Sequence, residues 1–200
     1  MSMWLKVVLA IVAILVVAVI GLALYATTLP AGYAVERSVV IAADPALVRE
    51  YAADLARWDD WTPWKEIDPT IEVTLGERTR GVGAHQSWTG KSGTGELTIT
   101  ADDPDHGIEY DMAFDEGAFV SKGALEWEPV DGGTRVTWRM WGDAPGLVAR
   151  LFFHFFSMED RIGQDFVRGL AKLKQVVEQA AAEAASAEAP AEPESATAAE

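Results

Sequence analysis

Apolar and polar side chains alternate with a period of two through three consecutive segments between residues 108 and 141. In the first segment, 108–114, Ile, Tyr, Met and Phe alternate with Glu, Asp and Ala, and the segments 123–128 and 134–141 repeat the pattern. Successive side chains of a strand point to opposite faces, so a period of two predicts strands with one buried face and one exposed face. The Asp-Gly-Gly sequence at 131–133 is a hairpin signal. Short turns of this kind favour one antiparallel, meandering sheet.

Further strands flank a helical region in the first half of the chain. Residues 33–41 have strand composition, and Asp44 followed by Pro45 is typical of a helix start. Alternation predicts three more strands, at 71–75, 83–88 and 96–101. The predicted order is one strand, helices, six strands and a final helix, which is the order of an α+β protein.

The last predicted element is a long helix with one apolar stripe. The stripe consists of Met158, Ile162, Phe166, Leu170, Leu173 and Val177. Ser157 is a candidate N-cap. Gly163 and Gly169 lie within the helix, although each glycine costs about 1 kcal/mol relative to alanine. They are expected where the helix approaches the sheet closely or where it leaves room beneath it. Beyond Gln179 the Ala, Glu and Pro composition predicts a frayed helix end and then a disordered tail, over 180–200.

Three tryptophans, Trp58, Trp61 and Trp64, follow the first predicted helix. Tryptophan is large and apolar but carries one N–H donor, so it suits positions that are apolar on one side and polar on the other. A spacing of three places Trp58 and Trp61 on one side of a helical turn, which Pro63 then ends. Two interpretations remain open: the triplet closes one end of the core, or it forms the aromatic lip of a pocket for an apolar ligand.

The N-terminal segment 7–26 is uncharged. As a helix these twenty residues would be about 30 Å long, which matches the hydrocarbon core of a bilayer. Trp4 and Tyr25 lie near its two ends, where interfacial aromatic residues are found. We predict a transmembrane anchor at 4–26 and a linker at 27–32, and a cleaved signal peptide is the alternative.

Charge sets the expected orientation and excludes several partners and chemistries. Lys6 and the amino terminus are the positive charges beside the apolar segment, so the N-terminus is expected in the cytoplasm and the domain on the extracytoplasmic side. The chain has 16 Lys+Arg against 31 Asp+Glu, which argues against a nucleic-acid partner. It has no cysteine, and His85, His106 and His154 show no zinc-ligand spacing. We therefore predict no metal and no cofactor.

The element order and several segments resemble the START-like, or polyketide cyclase/dehydrase-like (SRPBCC), helix-grip superfamily. The resemblance spans residues 33 to 178 and rests on segments 35–45, 57–68, 81–83, 133–138 and 164–170. It implies a domain at 33–179 in which a seven-stranded antiparallel sheet is wrapped around a long C-terminal helix, with an apolar cavity between them. Similar proteins bind lipids, sterols, polyketides or hormones, and some catalyse cyclisation or dehydration. A membrane anchor is compatible with a subset of bacterial members.

Large side chains in the inward phase of the strands are the candidate ligand contacts. Aromatic rings together with methionine suit planar or chain-like apolar guests. The predicted ligand-binding residues are Trp61, Trp64, Trp88, Tyr110, Met112, Phe114, Trp127, Trp138 and Phe166. For each of them the alternative is a place in a solid core. No catalytic residue is predicted, and the polar residues in position to reach a cavity are Tyr110 and Gln86, with His85 or Gln164 as further candidates.

The expected function is membrane-tethered binding of a lipid or other apolar small molecule, for sequestration, transfer or sensing. Two alternatives remain open. One is a polyketide cyclase or dehydratase in which Tyr110 positions the reacting oxygen, and the other is a structural or interaction domain without a ligand. The phenylalanine-rich segment 152–156 is a candidate lid or bilayer contact.

Overall fold

The computed structural model describes residues 2–156 and 158–188. The helices are α1 (Met3–Thr28), α2 (Pro45–Ala52), α3 (Trp58–Trp61), α4 (Trp64–Ile67), α5 (Leu147–Phe155) and α6 (Met158–Glu188). The strands are β1 (Gly32–Ile41), β2 (Glu72–Leu75), β3 (His85–Gly90), β4 (Gly93–Asp103), β5 (Gly107–Phe114), β6 (Phe119–Val130) and β7 (Gly133–Asp143). Short 3-10 turns lie at Leu55–Arg57 and Asp115–Gly117.

The seven strands form one antiparallel sheet in the order β1-β7-β6-β5-β4-β3-β2. Strands β2 to β7 follow one another as a meander, which the short turns predict, and β1 returns to pair with β7 from Gly32 to Ile41. The β6–β7 hairpin turns through Gly132, whose φ of 87° favours glycine. The predicted α+β helix-grip fold with a seven-stranded antiparallel sheet is confirmed.

Helix α6 packs on one face of the sheet, which we call the inner face. The buried members of its apolar stripe are Phe166, Leu170, Leu173 and Val177. Gly169 allows close packing, because a Cβ there would lie 2.7 Å from Cζ3 of Trp138. A Cβ at Gly163 would lie 2.3 Å from Nη2 of Arg37 on β1. The expectation that these glycines mark a close approach of helix and sheet is therefore confirmed.

The tryptophan segment folds into two short helices that close one side of the core. Trp58 and Trp61 are the first and last residues of α3, and both are buried. Nε1 of Trp58 donates a hydrogen bond to the carbonyl of Ala52 (3.0 Å), and Nε1 of Trp61 donates to the carbonyl of Tyr51 (3.3 Å), so both indoles pack against the end of α2. Trp64 begins α4 and is half-buried.

Asp68 ties the end of this segment to the β3–β4 turn. Its carboxylate accepts hydrogen bonds from the backbone N–H and the hydroxyl of Thr70 (2.9 and 2.6 Å) and of Ser92 (2.8 and 2.7 Å). These bonds to the charged form hold the pKa of Asp68 well below its usual range. The carboxylate therefore fixes where α4 ends relative to the sheet.

Helix α1 precedes the domain and is long and apolar enough to cross a membrane. Its side chains are exposed along nearly the whole length, but Ala26 near its end is buried. The hydroxyl of Tyr25 lies 3.1 Å from Nε2 of His154, so the last turns of α1 contact α5. Residues 29–31 connect α1 to β1.

The C-terminal part of the described chain consists of α5 and α6. Helix α6 continues to Glu188, because residues 180–188 are mostly alanine and glutamate, which favour helix beyond the apolar stripe. The remainder of the predicted tail, 189–200, and the predicted cap Ser157 lie outside the described residues. Helix α5 starts at Leu147, after β7, which extends through Asp143.

Candidate functional site

Exposure of the inner face changes from one end of the sheet to the other. The strand register aligns Trp88, Phe114 and Phe119 in one row, with Gly95 between the first two. All three aromatic side chains are half-buried. Trp88 packs edge-on against Phe114, and Phe114 packs against Phe119, each pair with ring centroids 5.6 Å apart. This row, which lies at one end of the inner face, is therefore an apolar surface that helix α6 leaves partly uncovered.

The next row inward adds hydroxyl and amide groups to the apolar wall. Met112 pairs with Ser121 across β5 and β6, and Gln86 pairs with Leu97 across β3 and β4. The hydroxyl of Tyr33 lies 2.6 Å from Oγ of Ser121. Burial raises the pKa of Tyr33, although its bond to Ser121 opposes the shift, so the phenol stays neutral at physiological pH. These groups can hydrogen-bond to a ligand but carry no charge.

Helix α5 covers part of this end of the sheet. The ring of Phe153 packs edge-on against Tyr33, with centroids 5.3 Å apart, and against Phe119, with centroids 6.0 Å apart. We call the half-buried apolar group formed by Tyr33, Trp88, Met112, Phe114, Phe119 and Phe153 the open end of the domain.

The inner rows are closed by aromatic packing. Trp138 stacks on Phe166 with centroids 4.1 Å apart and an interplanar angle of 3°, and Trp61 packs edge-on against Trp138 at 5.1 Å. Nε1 of Trp138 donates a 2.7 Å hydrogen bond to the hydroxyl of Tyr110, which lies over Gly123. Each of these four aromatic side chains is at most 2% exposed. This part of the inner face is a packed core.

Eight of the nine predicted ligand-binding residues divide between these two regions, and Trp64 belongs to neither. The packed core contains Trp61, Tyr110, Trp127, Trp138 and Phe166. Trp88, Met112 and Phe114 belong to the open end, and Trp64 is half-buried beside Trp138, with centroids 6.0 Å apart. The role of all nine in ligand binding stays a prediction.

The list of predicted ligand-binding residues did not include Tyr33, Phe119 and Phe153 of the open end, or Ser121 beside it. Tyr33 has the same strand phase as the buried Val35, so alternation was a usable signal for it. Phe153 belongs to the phenylalanine-rich segment 152–156, which the sequence marks as a candidate lid or bilayer contact, but its contact with the sheet depends on how α5 folds back.

The polar candidates for catalysis do not meet in one place. Tyr110 is buried, which raises the pKa of its hydroxyl even though the bond from Trp138 opposes the shift, so it cannot serve as a phenolate base at neutral pH. His85 lies on the outer face, where its Nδ1 is 3.0 Å from Oγ1 of Thr98, and Gln164 is exposed on α6. Within residues 2–156 and 158–188, no three His, Asp or Glu side chains form a metal-binding group.

Two surface clefts accompany the sheet. One, of about 410 Å³, lies where β1 begins and β7 ends, and Tyr33 and Trp141 are among its lining residues. The other, of about 300 Å³, lies between β1 and α6 and includes Arg37, Gln164 and Arg168. None of the nine predicted ligand-binding residues lines either cleft.

Tyr110→Phe is expected to lower the free energy of unfolding by about 1–3 kcal/mol, because Nε1 of Trp138 loses its acceptor in a buried site. Any binding of an apolar probe to the open end should be unchanged, since Tyr110 lies in the packed core. Urea denaturation and probe titration of the same preparation measure the two quantities. A variant of normal stability that has lost an enzymatic turnover would favour the catalytic alternative instead.

A seven-stranded antiparallel sheet packed on a long C-terminal helix, with an apolar inner face that is open at one end, defines a helix-grip protein. The model of the family described as polyketide cyclase / dehydrase and lipid transport matches residues 33–178, and the chain belongs to this family. The resemblance predicted from the sequence is confirmed. Membership supports a role in binding hydrophobic ligands. A comparison with curated proteins finds no match.

Solved structures from several bacteria share the fold. A protein of unknown function from Staphylococcus aureus aligns with a TM-score of 0.57 and 13% identity, over 76% of this chain and 96% of its own. A protein from Chromobacterium violaceum aligns at 0.54 and 14%, over 72% and 96%. A protein from Thermobifida fusca aligns at 0.53 and 22%, over 73% and 93%. At these identities the likeness shows the fold alone.

Proposed function

We propose that this protein binds a lipid or another apolar small molecule at the open end of its helix-grip domain, while α1 tethers it to a membrane. The bound molecule is held for sequestration, transfer or sensing. The observation that carries the proposal is the gradient of exposure along the inner face. The packed core of the inner face is filled by aromatic rings of the protein itself, whereas apolar and aromatic side chains at the open end are half-exposed.

The polar groups at and beside the open end favour an amphiphilic ligand. Ser121 and Gln86 are buried polar residues within an apolar wall, and the Tyr33 hydroxyl adds a third hydrogen-bonding group. A few polar groups within an apolar surface typically fix the orientation of a bound molecule. Since these groups are neutral, a hydroxyl, ester or carbonyl of a lipid suits them better than a charged headgroup does.

The tether rests on the length and composition of α1. A helix whose exposed surface is almost entirely apolar is unstable in water unless a membrane or a partner covers it. The sparse positive charge at Lys6 favours a cytoplasmic N-terminus, with the domain on the extracytoplasmic side.

Ser121→Leu is expected to weaken ligand binding at least about tenfold, which corresponds to about 1.4 kcal/mol. The change removes a hydroxyl and fills space beside Met112 and Tyr33. Titration of the detergent-solubilised chain with fluorescent fatty-acid and sterol probes measures the affinity. Val120→Leu is the matched control, because this neighbouring side chain is 61% exposed on the opposite face of β6 and should not alter binding.

Thermal unfolding of both variants separates lost binding from lost folding. Equal affinity of Ser121→Leu and the unmodified chain would contradict binding at the open end. Lipid extraction and mass spectrometry of the purified chain test the wider proposal. A chain that copurifies with no lipid and binds neither type of probe would contradict a lipid-binding function altogether.

A further inference from the structure

Helix α5 presents an uncovered apolar surface to the outside of the domain. Val148, Phe152 and Phe155 recur at spacings of four and three, so they lie on one side of the helix, and Phe156 follows beside them. Their exposed fractions are 81%, 44%, 64% and 57% in chain order. Three large apolar side chains on one side of a nine-residue helix, with a fourth at its C-cap, are more than a soluble surface normally exposes.

The exposed apolar side chains of α5 point away from the rest of the domain. On the other sides of the helix, Phe153 packs against Tyr33 and Phe119 at the open end, while Arg150 and His154 lie opposite the exposed apolar residues. An amphipathic surface helix normally turns its apolar face to the core of its own domain, whereas the larger apolar face of α5 is turned outward. That face therefore requires an apolar partner other than the domain itself.

The contact between α1 and α5 indicates which partner this is. The Tyr25 hydroxyl lies 3.1 Å from Nε2 of His154, and the two rings pack edge-on with centroids 6.1 Å apart. Tyr25 is within the last two turns of α1, where an aromatic residue of a membrane-spanning helix lies in the interfacial region. His154 and α5 are therefore held at the depth of that interface.

We infer that the outer face of α5, formed by Val148, Phe152, Phe155 and Phe156, lies among the lipids of the leaflet in which α1 ends. This inference rests on the proposed membrane-spanning role of α1. Interfacial helices of this kind bury their apolar face about 5–10 Å into the boundary between headgroups and acyl chains. The open end, which lies on the inner side of α5, then borders the leaflet, and a lipid enters it without crossing bulk water.

Apolar burial, and not attraction to anionic lipid, drives this association. The chain has a net charge of −15, and Asp115 and Glu116 lie in the turn between Phe114 and Phe119 at the open end. Negative charge near the interface is repelled by an anionic leaflet. Vesicles of zwitterionic phosphatidylcholine are therefore the appropriate membrane for the test.

The absence of cysteine makes a direct test simple, because any introduced cysteine is the only thiol in the chain. Val148→Cys and Phe155→Cys place a nitroxide label on the outer face of α5. Val82→Cys is the matched control for Val148, since Val82 is a 54% exposed valine in the β2–β3 connection. Leu15→Cys reports on the middle of α1. Each full-length variant is reconstituted into phosphatidylcholine vesicles.

The measured quantity is the collision rate of each label with oxygen, which is concentrated in lipid, and with a water-soluble nickel chelate. Labels at 148 and 155 are expected to collide several-fold more with oxygen and several-fold less with the chelate than the label at 82. Chelate accessibility at 148 and 155 equal to that at 82 would overturn the inference. Protection from both reagents together with spin–spin broadening would also overturn it, because a second copy of the chain would then cover the face.

The label at position 15 separates failure of this inference from failure of the proposed tether. A lipid-exposed label at 15 combined with water-exposed labels at 148 and 155 rejects only the insertion of α5. A water-exposed label at 15 rejects the membrane-spanning role of α1 and with it the inference. Far-UV circular dichroism of each labelled variant establishes that the domain is folded in every comparison.

Discussion

Trp138→Ala is expected to lower the free energy of unfolding by about 3–5 kcal/mol, the usual cost of truncating a fully buried tryptophan. Trp138 is 1% exposed and stacks on Phe166 of α6, with Trp61 packed against its edge. Truncation therefore leaves a void between the sheet and α6 and removes the hydrogen bond to Tyr110. Gly169 cannot fill the void, because it has no side chain. Urea denaturation followed by far-UV circular dichroism measures the loss.

Trp141→Ala is the matched control on the same strand. Trp141 is half-buried on the outer face of β7, where the guanidinium of Arg139 lies 5.4 Å from the ring centroid. Its truncation should cost only about 0.5–1 kcal/mol. If Trp138→Ala instead kept its stability and lost probe binding, Trp138 would be a ligand contact, as the sequence prediction has it, and not a core residue.

Removal of residues 3–24 is expected to transfer the protein from the membrane fraction to the soluble fraction almost completely. Segment 7–26 has thirteen Leu, Ile and Val residues. At about 0.3–0.6 kcal/mol each, they favour insertion by roughly 4–8 kcal/mol. The deletion keeps Tyr25 and Ala26, which contact or pack against the domain. Alkaline extraction of membranes followed by immunoblotting measures the partition, and circular dichroism checks the fold.

The control is a deletion of comparable kind at the other end, residues 189–200, which should leave the chain in the membrane fraction. The tether would be contradicted if the full-length chain were released by alkaline extraction. It would also be contradicted if mass spectrometry found a mature chain that starts near residue 27 or 35, because the segment would then be a cleaved signal peptide.

The strands and the last helix could be predicted because their patterns are local. Apolar residues recur at every second position of a strand, as at Tyr110 and Met112, and at every third or fourth position of the last helix, as at Phe166 and Leu170. Both patterns arise because one face of each element is buried against the others. The cap at Asp44 was predictable for the same reason, since its carboxylate bonds to the N–H of Ala46, two residues away (2.8 Å).

The division of the inner face into a packed core and an open end could not be predicted. Trp138 and Trp88 have the same inward phase and similar chemistry, yet Trp138 is buried by α6 and Trp88 is half-exposed. The difference depends on where α6 crosses the sheet and where α5 folds back. These are features of the tertiary structure, and no local sequence pattern predicts them. The same is true of Phe153, whose neighbours Tyr33 and Phe119 are distant in sequence.

The connection between α1 and β1 limits how far the domain can travel. Residues 29–31 span at most about 11 Å even when fully extended. They are further restrained, because the carbonyl of Ala31 accepts a hydrogen bond from the N–H of Ala144 (2.8 Å). With α1 in a bilayer, the domain cannot swing across to an opposing membrane. Under the proposed function, a lipid held at the open end then leaves by diffusing back into the same membrane, or by passing to an acceptor that comes to the protein. This geometry suits a stationary acceptor or sensor and not a shuttling carrier.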